Sequence, residues 1–530
     1  MKRIIVYLAV ILFPVAQAPA QQVHETVITF LESEYWWGGA VGYGAQMPYL
    51  KPVQEFDLGL QNRNNQIVPL FVSSKGRYIW SDLPFSFEVD SNNLTVRSHY
   101  EKMEPVTAGK TLREAYLSAC SAHFPPSGII PDELFFTMPQ YNTWIELIYD
   151  QNQEDILDYA RAIIENGFPA GILMIDDNWQ KYYGNFEFKP DRFPDPGGMV
   201  DELHGMGFKV MVWVCPFVSP DSPEYRMLAA KGYLLREKGT DRPAVIRWWN
   251  GASACYDLAN PQAAEYLVAR LRETQERYGV DGFKFDGGDN GFYDPSKIGS
   301  YMENVLPVDH TMAWARLGLD FPFNEYRACW RMGGQPLAQR LGDKNYSWSA
   351  VGSLIPEMTA AGLLGYAYVC PDMIGGGQFS SFLGIKADEF DQELIVRSAQ
   401  VHALMPMMQF SVAPWRILDE GNLAIVREAA LLHEKMGGYI LECARESSRT
   451  GEPIVRHMEY SFPGEGFGEC KDQYMLGRRY MAAPVVTPGN SREVRFPRGR
   501  WKDDTGKIYR GGRTVTFYVP SGRILYFERL

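Results

Sequence analysis

The stretch Val280-Asp-Gly-Phe-Lys-Phe-Asp-Gly-Gly-Asp-Asn-Gly puts Asp281, Asp286 and Asp289 among glycines, with Lys284 two residues before Asp286. In a strand, residues two apart face the same side, so Lys284 and Asp286 are expected to point together into one space. A cation at that position favours the charged carboxylate, as a nucleophile needs. Gly287 and Gly288 are expected to leave room for a substrate. The plainer reading of the pair is a structural Lys–Asp contact.

Other carboxylates end apolar runs in the same way. Asp176 and Asp177 follow Ile172-Leu-Met-Ile, Asp343 lies in Leu341-Gly-Asp-Lys, and Asp372 follows Val369-Cys-Pro. One acid at the end of a strand is ordinary. Several crowded at one rim repel each other unless a cation binds there or some are protonated. The crowding fits glycoside cleavage, in which one carboxylate attacks and one acid protonates the leaving oxygen.

The elements that must hold these acids read as three parts. Residues 21–130 alternate short apolar runs with turn residues and are expected to form an N-terminal β-sandwich-like domain. Residues 131–438 alternate strand and helix patterns in eight units, which predicts a (β/α)8 TIM barrel with its site at the C-terminal ends of the strands. Residues 439–530 return to β patterning as a C-terminal all-β domain. Within the first part, Tyr35 to Tyr49 reads as a glycine-rich loop with exposed aromatics.

Composition narrows the partners. Acids outnumber bases 64 to 52, for a net charge of -12, and no basic run follows the first three residues, so nucleic acid is excluded as a partner. The seven cysteines include no CxxC and no Cys/His cluster of metal-site spacing, and two carboxylates with water suffice for glycoside cleavage, so no metal or cofactor is implied. Lys2 and Arg3, the apolar run 4–15 and Ala18-Pro-Ala read as a cleavable signal peptide over 1–20, hence a periplasmic or secreted protein. That run is too short for a membrane span. Oligomeric state is left open.

Together, "FKFDGGD", "LGDKNYSW" and "EYRACWRMGG" resemble glycoside hydrolase family 31. The resemblance implies that Asp286 is the nucleophile, Asp343 the acid/base, and Arg327 the family's upstream arginine. "MIDDNW", "CPDMIGGG", "LMPMMQFSVAPWR" and "GEPIVRHMEY" are similar to its branch of α-galactosidases and the myogenesis-regulating glycosidase, and "YWWGGA" resembles that branch's aromatic-glycine stretch, which implies a loop reaching over the site. The family's α-glucosidases carry an Arg-x-His after strand 8, where this chain has Gln409 and Ser411, and both points favour an α-linked galactoside as substrate. Asp176 or Asp177 is expected to hold sugar hydroxyls, with only one of the two facing the mouth and Asp176 preferred. Lys284, Arg327 and Asp372 are expected to add hydrogen bonds. Trp179, Trp213, Trp248, Trp330 and Trp415 are candidate walls. An α-glucosidase, an α-xylosidase and a non-catalytic carbohydrate-binding protein are the alternatives.

Overall fold

Eight parallel strands form the centre of the computed structural model, which describes residues 22–530. They are β1 (Gln140–Asn142), β2 (Ile172–Ile175), β3 (Lys209–Val214), β4 (Gly282–Phe285), β5 (Phe323–Tyr326), β6 (Gln339–Arg340), β7 (Val369–Cys370) and β8 (Gln409–Phe410). Each pairs with the next in chain order up to β7, and β8 pairs with β1 through Gln409↔Gln140 and Phe410↔Tyr141. The ring closes between β7 and β8, where Met373 bridges Gln409 and the Ile374 N–H donates to the Gln409 carbonyl at 2.8 Å. The chain is a TIM barrel, and all eight strand-like runs of the sequence lie in it. Strands such as Ile172-Leu-Met-Ile are apolar throughout because helices cover one face and the barrel interior the other.

Six of the covering helices begin where a polar side chain can accept from their first free N–H groups. Asn152 caps Gln153–Glu165 after β1, Asp195 caps Pro196–Gly205 after β2, and Asn260 caps Pro261–Tyr278 after β3. The last two start with proline, whose fixed φ suits the first helical position. Ser347, Asp391 and Asp419 cap the helices after β6, β7 and β8.

Two sequence expectations need correction. No helix separates β5 from β6. The intervening segment instead packs on the N-terminal sheets, where Ile67 bridges Trp330 and the Ile67 N–H donates to the Cys329 carbonyl at 3.0 Å. The helix after β8 runs unbroken from Glu420 to Thr450, so the boundary expected at 438–439 would cut it. Within it Gly437 lies against the Thr137 backbone, a close approach that a side chain would block.

Two four-stranded antiparallel sheets make the N-terminal part. One contains Trp36–Ala40 paired with Ile67–Ser73. Trp36 and Trp37 are therefore buried in a strand and do not form an exposed loop over the site, as the sequence suggested. The following turn, Val41–Gln46, docks on the barrel helix Trp348–Leu363. The C-terminal part is a six-stranded and a two-stranded antiparallel sheet around a separate apolar core containing Trp501 and Phe527. The signal peptide expected over residues 1–20 falls outside the described residues. Among the described residues no helix is long and apolar enough to cross a membrane.

The docking of the turn on the barrel is tight at Gly44, where an added Cβ would lie 2.5 Å from the Glu357 Cα. Gly44→Ala is expected to destabilise the protein by roughly 1–3 kcal/mol, the usual cost of overpacking, read as a lower urea midpoint.

Candidate active site

A cavity of about 310 Å³ opens at the C-terminal ends of the barrel strands, as expected for this architecture. Asp176, Asp177, Trp213, Lys284, Asp286, Arg327 and Asp343 line it, so seven of the residues singled out in the sequence meet in one place. Asn64, Trp144, Tyr149, Trp249, Arg340, Gln378 and Phe379 complete the wall.

Asp286, just past the end of β4, is the most heavily bonded of the four acids on the wall. Its Oδ1 accepts from Arg327 Nε at 3.1 Å and from the Gly287 N–H at 2.8 Å, and its Oδ2 accepts from Trp213 Nε1 at 3.1 Å. Burial alone would raise its pKa. Arg327, Lys284 and Arg340 outweigh that, and the carboxyl is held well below the usual range. Arg327 spans two acids, since its Nη1 and Nη2 also fork onto Asp289 at 2.9 and 2.7 Å. Asn62 of the N-terminal part donates to the same Asp289 at 2.7 Å.

Lys284 does share a side with Asp286, but its partner is another residue. The buried ammonium donates to Asp176 Oδ2 at 2.6 Å and acts on Asp286 through space only. Burial would lower the Lys284 pKa, and Asp176 reverses that and raises it. The two glycines after Asp286 also differ from expectation. Both have φ of +73°, and a Cβ on Gly288 would lie 2.3 Å from the Trp314 ring. They let the chain turn tightly over Trp314 and Pro216; the room they leave is not for substrate.

Asp176 and Asp177 both line the cavity, although alternation along a strand predicted only one. The strand ends at Ile175, so alternation no longer applies. Asp176 Oδ1 accepts from the Asp177 N–H at 2.9 Å. Asp177 Oδ2 accepts from Asn250 Nδ2 at 2.5 Å and from the Tyr183 hydroxyl at 3.3 Å, while its buried Oδ1 has no partner. Burial and the neighbouring Asp176 charge push Asp177 up to about 7.

Asp343 follows β6, and its Oδ1 accepts from Arg340 Nη1 at 2.8 Å. The same nitrogen donates to Asp372 Oδ1 at 2.7 Å. Asp372 is not a wall residue. It is fully buried behind the cavity, accepts from the Lys344 and Gly377 N–H groups at 2.8 and 3.0 Å, and is pushed up to about 6 by burial.

Four of the five tryptophans proposed as walls lie elsewhere. Trp179 is buried with its indole N–H on the Trp213 carbonyl at 2.6 Å, and Trp248 stacks on Phe217 at 4.3 Å. Trp330 is in the junction with the N-terminal sheet, and Trp415 packs on Tyr159 and Phe168 behind the barrel. Trp213 alone reaches the cavity. The rim is built by Trp144, Tyr149, Phe379 and Trp249, the last lying under Arg327 at 5.8 Å. Gln409 and Ser411 do not reach it either. Gln409 donates to Glu325 at 2.7 Å in the barrel interior, and Ser411 accepts from the Ile145 N–H at 2.7 Å.

Among the residues missed, Asn64 on the wall and Asn62, 227 positions before the Asp289 it bonds, come from the N-terminal part, and no spacing marks them. Trp144 and Trp249 each lie just beyond a strand, but nothing local sets them apart from the tryptophans that pack behind the wall. All seven cysteines are free thiols. Among the described residues no group of three or more His, Cys, Asp or Glu side chains is placed to hold a metal.

Comparisons with known proteins bear on this geometry. Residues 137–440 match the profile of the glycosyl hydrolases family 31 TIM-barrel domain, and residues 451–529 that of the family's C-terminal domain. The chain is 31% identical over 417 residues to the myogenesis-regulating glycosidase of Mus musculus, covering 76% of this chain and 57% of that protein. It is 26% identical to the 1,3-alpha-isomaltosidase of Kribbella flavida, covering 64% of this chain and 49% of that one. The chain thus spans about half of the length of these curated relatives. A dextranase structure from Flavobacterium johnsoniae, complexed with glucose, superposes with a TM-score of 0.81 at 19% identity, covering 97% of this chain and 67% of that one, which supports the fold.

The raised Asp177 has a measurable consequence. Between the unfolded carboxyl value near 4 and about 7, the folded state holds a proton that the unfolded state has lost, so stability falls as pH rises through that window. Asp177→Asn removes this loss. The variant is expected to gain on the native protein from pH 4 to pH 8, by at most about 4 kcal/mol, and the gain to vanish below pH 4, as read from urea midpoints.

Proposed function

The chain belongs to glycosyl hydrolase family 31, and on that premise we propose that it is an exo-acting retaining α-glycosidase with Asp286 as nucleophile and Asp343 as acid/base. The observation that carries this reading is the Asp286 carboxylate, held charged by Arg327, Trp213 and the Gly287 N–H, on the wall of a small cavity it shares with Asp343. Oδ2 of Asp286 accepts a single hydrogen bond, from Trp213, and is the oxygen left to attack the anomeric carbon. Asp343 starts protonated and gives its proton to the leaving oxygen. It then takes one from the water that cleaves the glycosyl-enzyme, so configuration is retained.

Asp176, fixed by Lys284, and Asp177, fixed by Asn250, supply acceptors for the hydroxyls of the terminal sugar. The aromatic rim offers faces on which a sugar ring stacks. The cavity volume of about 310 Å³ suits one terminal residue at a time, which supports exo action.

For the sugar, galactose is the first reading. It rests on the motifs shared with the α-galactosidase branch and on the similarity to the myogenesis-regulating glycosidase. An α-glucosidase is the second. Gln409 and Ser411 lie away from the cavity, so their replacement of Arg-x-His no longer argues against a glucosyl unit. The named activity of the Kribbella flavida relative points the same way.

Hydrolysis of p-nitrophenyl α-galactoside beside the α-glucoside, with product configuration followed by NMR, separates these readings. A faster galactoside with α-galactose formed first is the expected result. A first-formed β-sugar would overturn the retaining mechanism. Asp286→Asn is expected to lower kcat by roughly 10⁴-fold or more while leaving the fold intact by circular dichroism.

A further inference from the structure

Arg340 was not among the residues that the sequence singled out, yet it is the one side chain that grips Asp343. Among the described residues, Asp343 Oδ1 accepts from Arg340 Nη1 at 2.8 Å and the carboxylate has no other protein partner. The Asp343 side chain is a third exposed to the cavity, whereas the Arg340 side chain is buried. The backbone around Asp343 is fixed separately. The Leu341 N–H donates to the Cys370 carbonyl, the Gly342 N–H to Asn65 Oδ1, and the Lys344 N–H to Asp372 Oδ2, at 3.0, 2.8 and 2.8 Å. What those bonds leave free is the rotation of the carboxylate itself.

Arg340 is in turn held at both edges. Asp372 Oδ1 takes Nη1 at 2.7 Å, and Glu325, steadied by Gln409, lies 3.5 Å from Nε. The Oδ1 edge of Asp343 is closed by the chain as well. A Cβ on Gly377 would lie 2.9 Å from Asp343 Oδ1 and 2.7 Å from Asp372 Oδ1.

We propose that Arg340, with Asp372 as its counter-ion, is a positioning residue for acid catalysis: it locks Asp343 by Oδ1 so that Oδ2 presents the proton to the leaving oxygen. In that step the bond from the anomeric carbon to the leaving oxygen breaks and the bond to Asp286 Oδ2 forms. The proton passes from Asp343 Oδ2 to the departing oxygen, leaving a neutral alcohol and an Asp343 carboxylate. Arg340 itself neither gives nor takes a proton. The inference rests on Asp343 being the acid.

A leaving group that needs no proton isolates this role. Fluoride departs as the anion, so α-galactosyl fluoride bypasses the acid, whereas an α-galactosyl disaccharide depends on it. The glucosyl pair serves if the enzyme takes glucosides. Asp343→Ala is expected to lower kcat/KM for the disaccharide by roughly 10²–10⁴-fold and to spare the fluoride. Arg340→Met is expected to give the same split at a smaller size, about 10-fold or more on the disaccharide. Equal losses on both substrates, or none, would overturn the role of Arg340. Absence of a split in Asp343→Ala would instead overturn the assignment of the acid, and the proposal with it. Should Arg340→Met not fold by circular dichroism, Asp372→Asn carries the test. It opposes an amide to the Lys344 or Gly377 N–H and loosens Arg340, so the same split supports the proposal and equal losses overturn it.

Discussion

Arg327 between Asp286 and Asp289 is the contact on which the rest of the site depends. Two carboxylates buried side by side would each shed their charge, and one guanidinium with its fork on Asp289 and its Nε on Asp286 keeps the latter ionised. The same economy recurs twice around the mouth. Lys284 neutralises Asp176, and Arg340 serves Asp343 and Asp372 together. Where the chain supplies no cation, at Asp177, the carboxyl rises instead. The acidic rim is thus a set of carboxylates with individually assigned counter-charges, and each cation comes from inside the barrel wall, on or just after a strand.

Much of this was legible in the sequence, and what was legible shares a cause. Strands and their ends leave a local mark, an apolar run followed by a carboxylate, so the eight strands and the acids at Asp176, Asp286, Asp343 and Asp372 could be read directly. Lys284 could be placed on the correct side by alternation, but its partner could not, because Asp176 lies 108 positions away and two strands round the ring. Alternation failed for Asp177 for the opposite reason: it was carried two residues beyond the end of the strand.

The tryptophans show a different limit. Trp179, Trp248, Trp330 and Trp415 are as aromatic as Trp144 and Trp249, and a sequence gives no sign of which ring faces the mouth and which packs behind it. The N-terminal contribution was anticipated in the wrong segment. The conspicuous Tyr35-Trp-Trp-Gly-Gly stretch is a buried strand, while the unremarkable run from Asn62 to Gln66 reaches the site. Polar side chains in a short loop carry no periodicity, and their role exists only once two distant parts of the chain are docked.

The absent helix between β5 and β6 gives that docking a further meaning. In its place, Ile67 of the N-terminal sheet pairs with Trp330, and Gln66 bonds Gln339 and the Arg340 carbonyl. A barrel normally shields each strand pair with its own helix, so that it can fold and unfold as an autonomous body. Here one stave of the outer wall is borrowed from the preceding sheets. The two parts are therefore expected to open together, with amide exchange along β5 and β6 reporting on the N-terminal sheets as well as on the barrel.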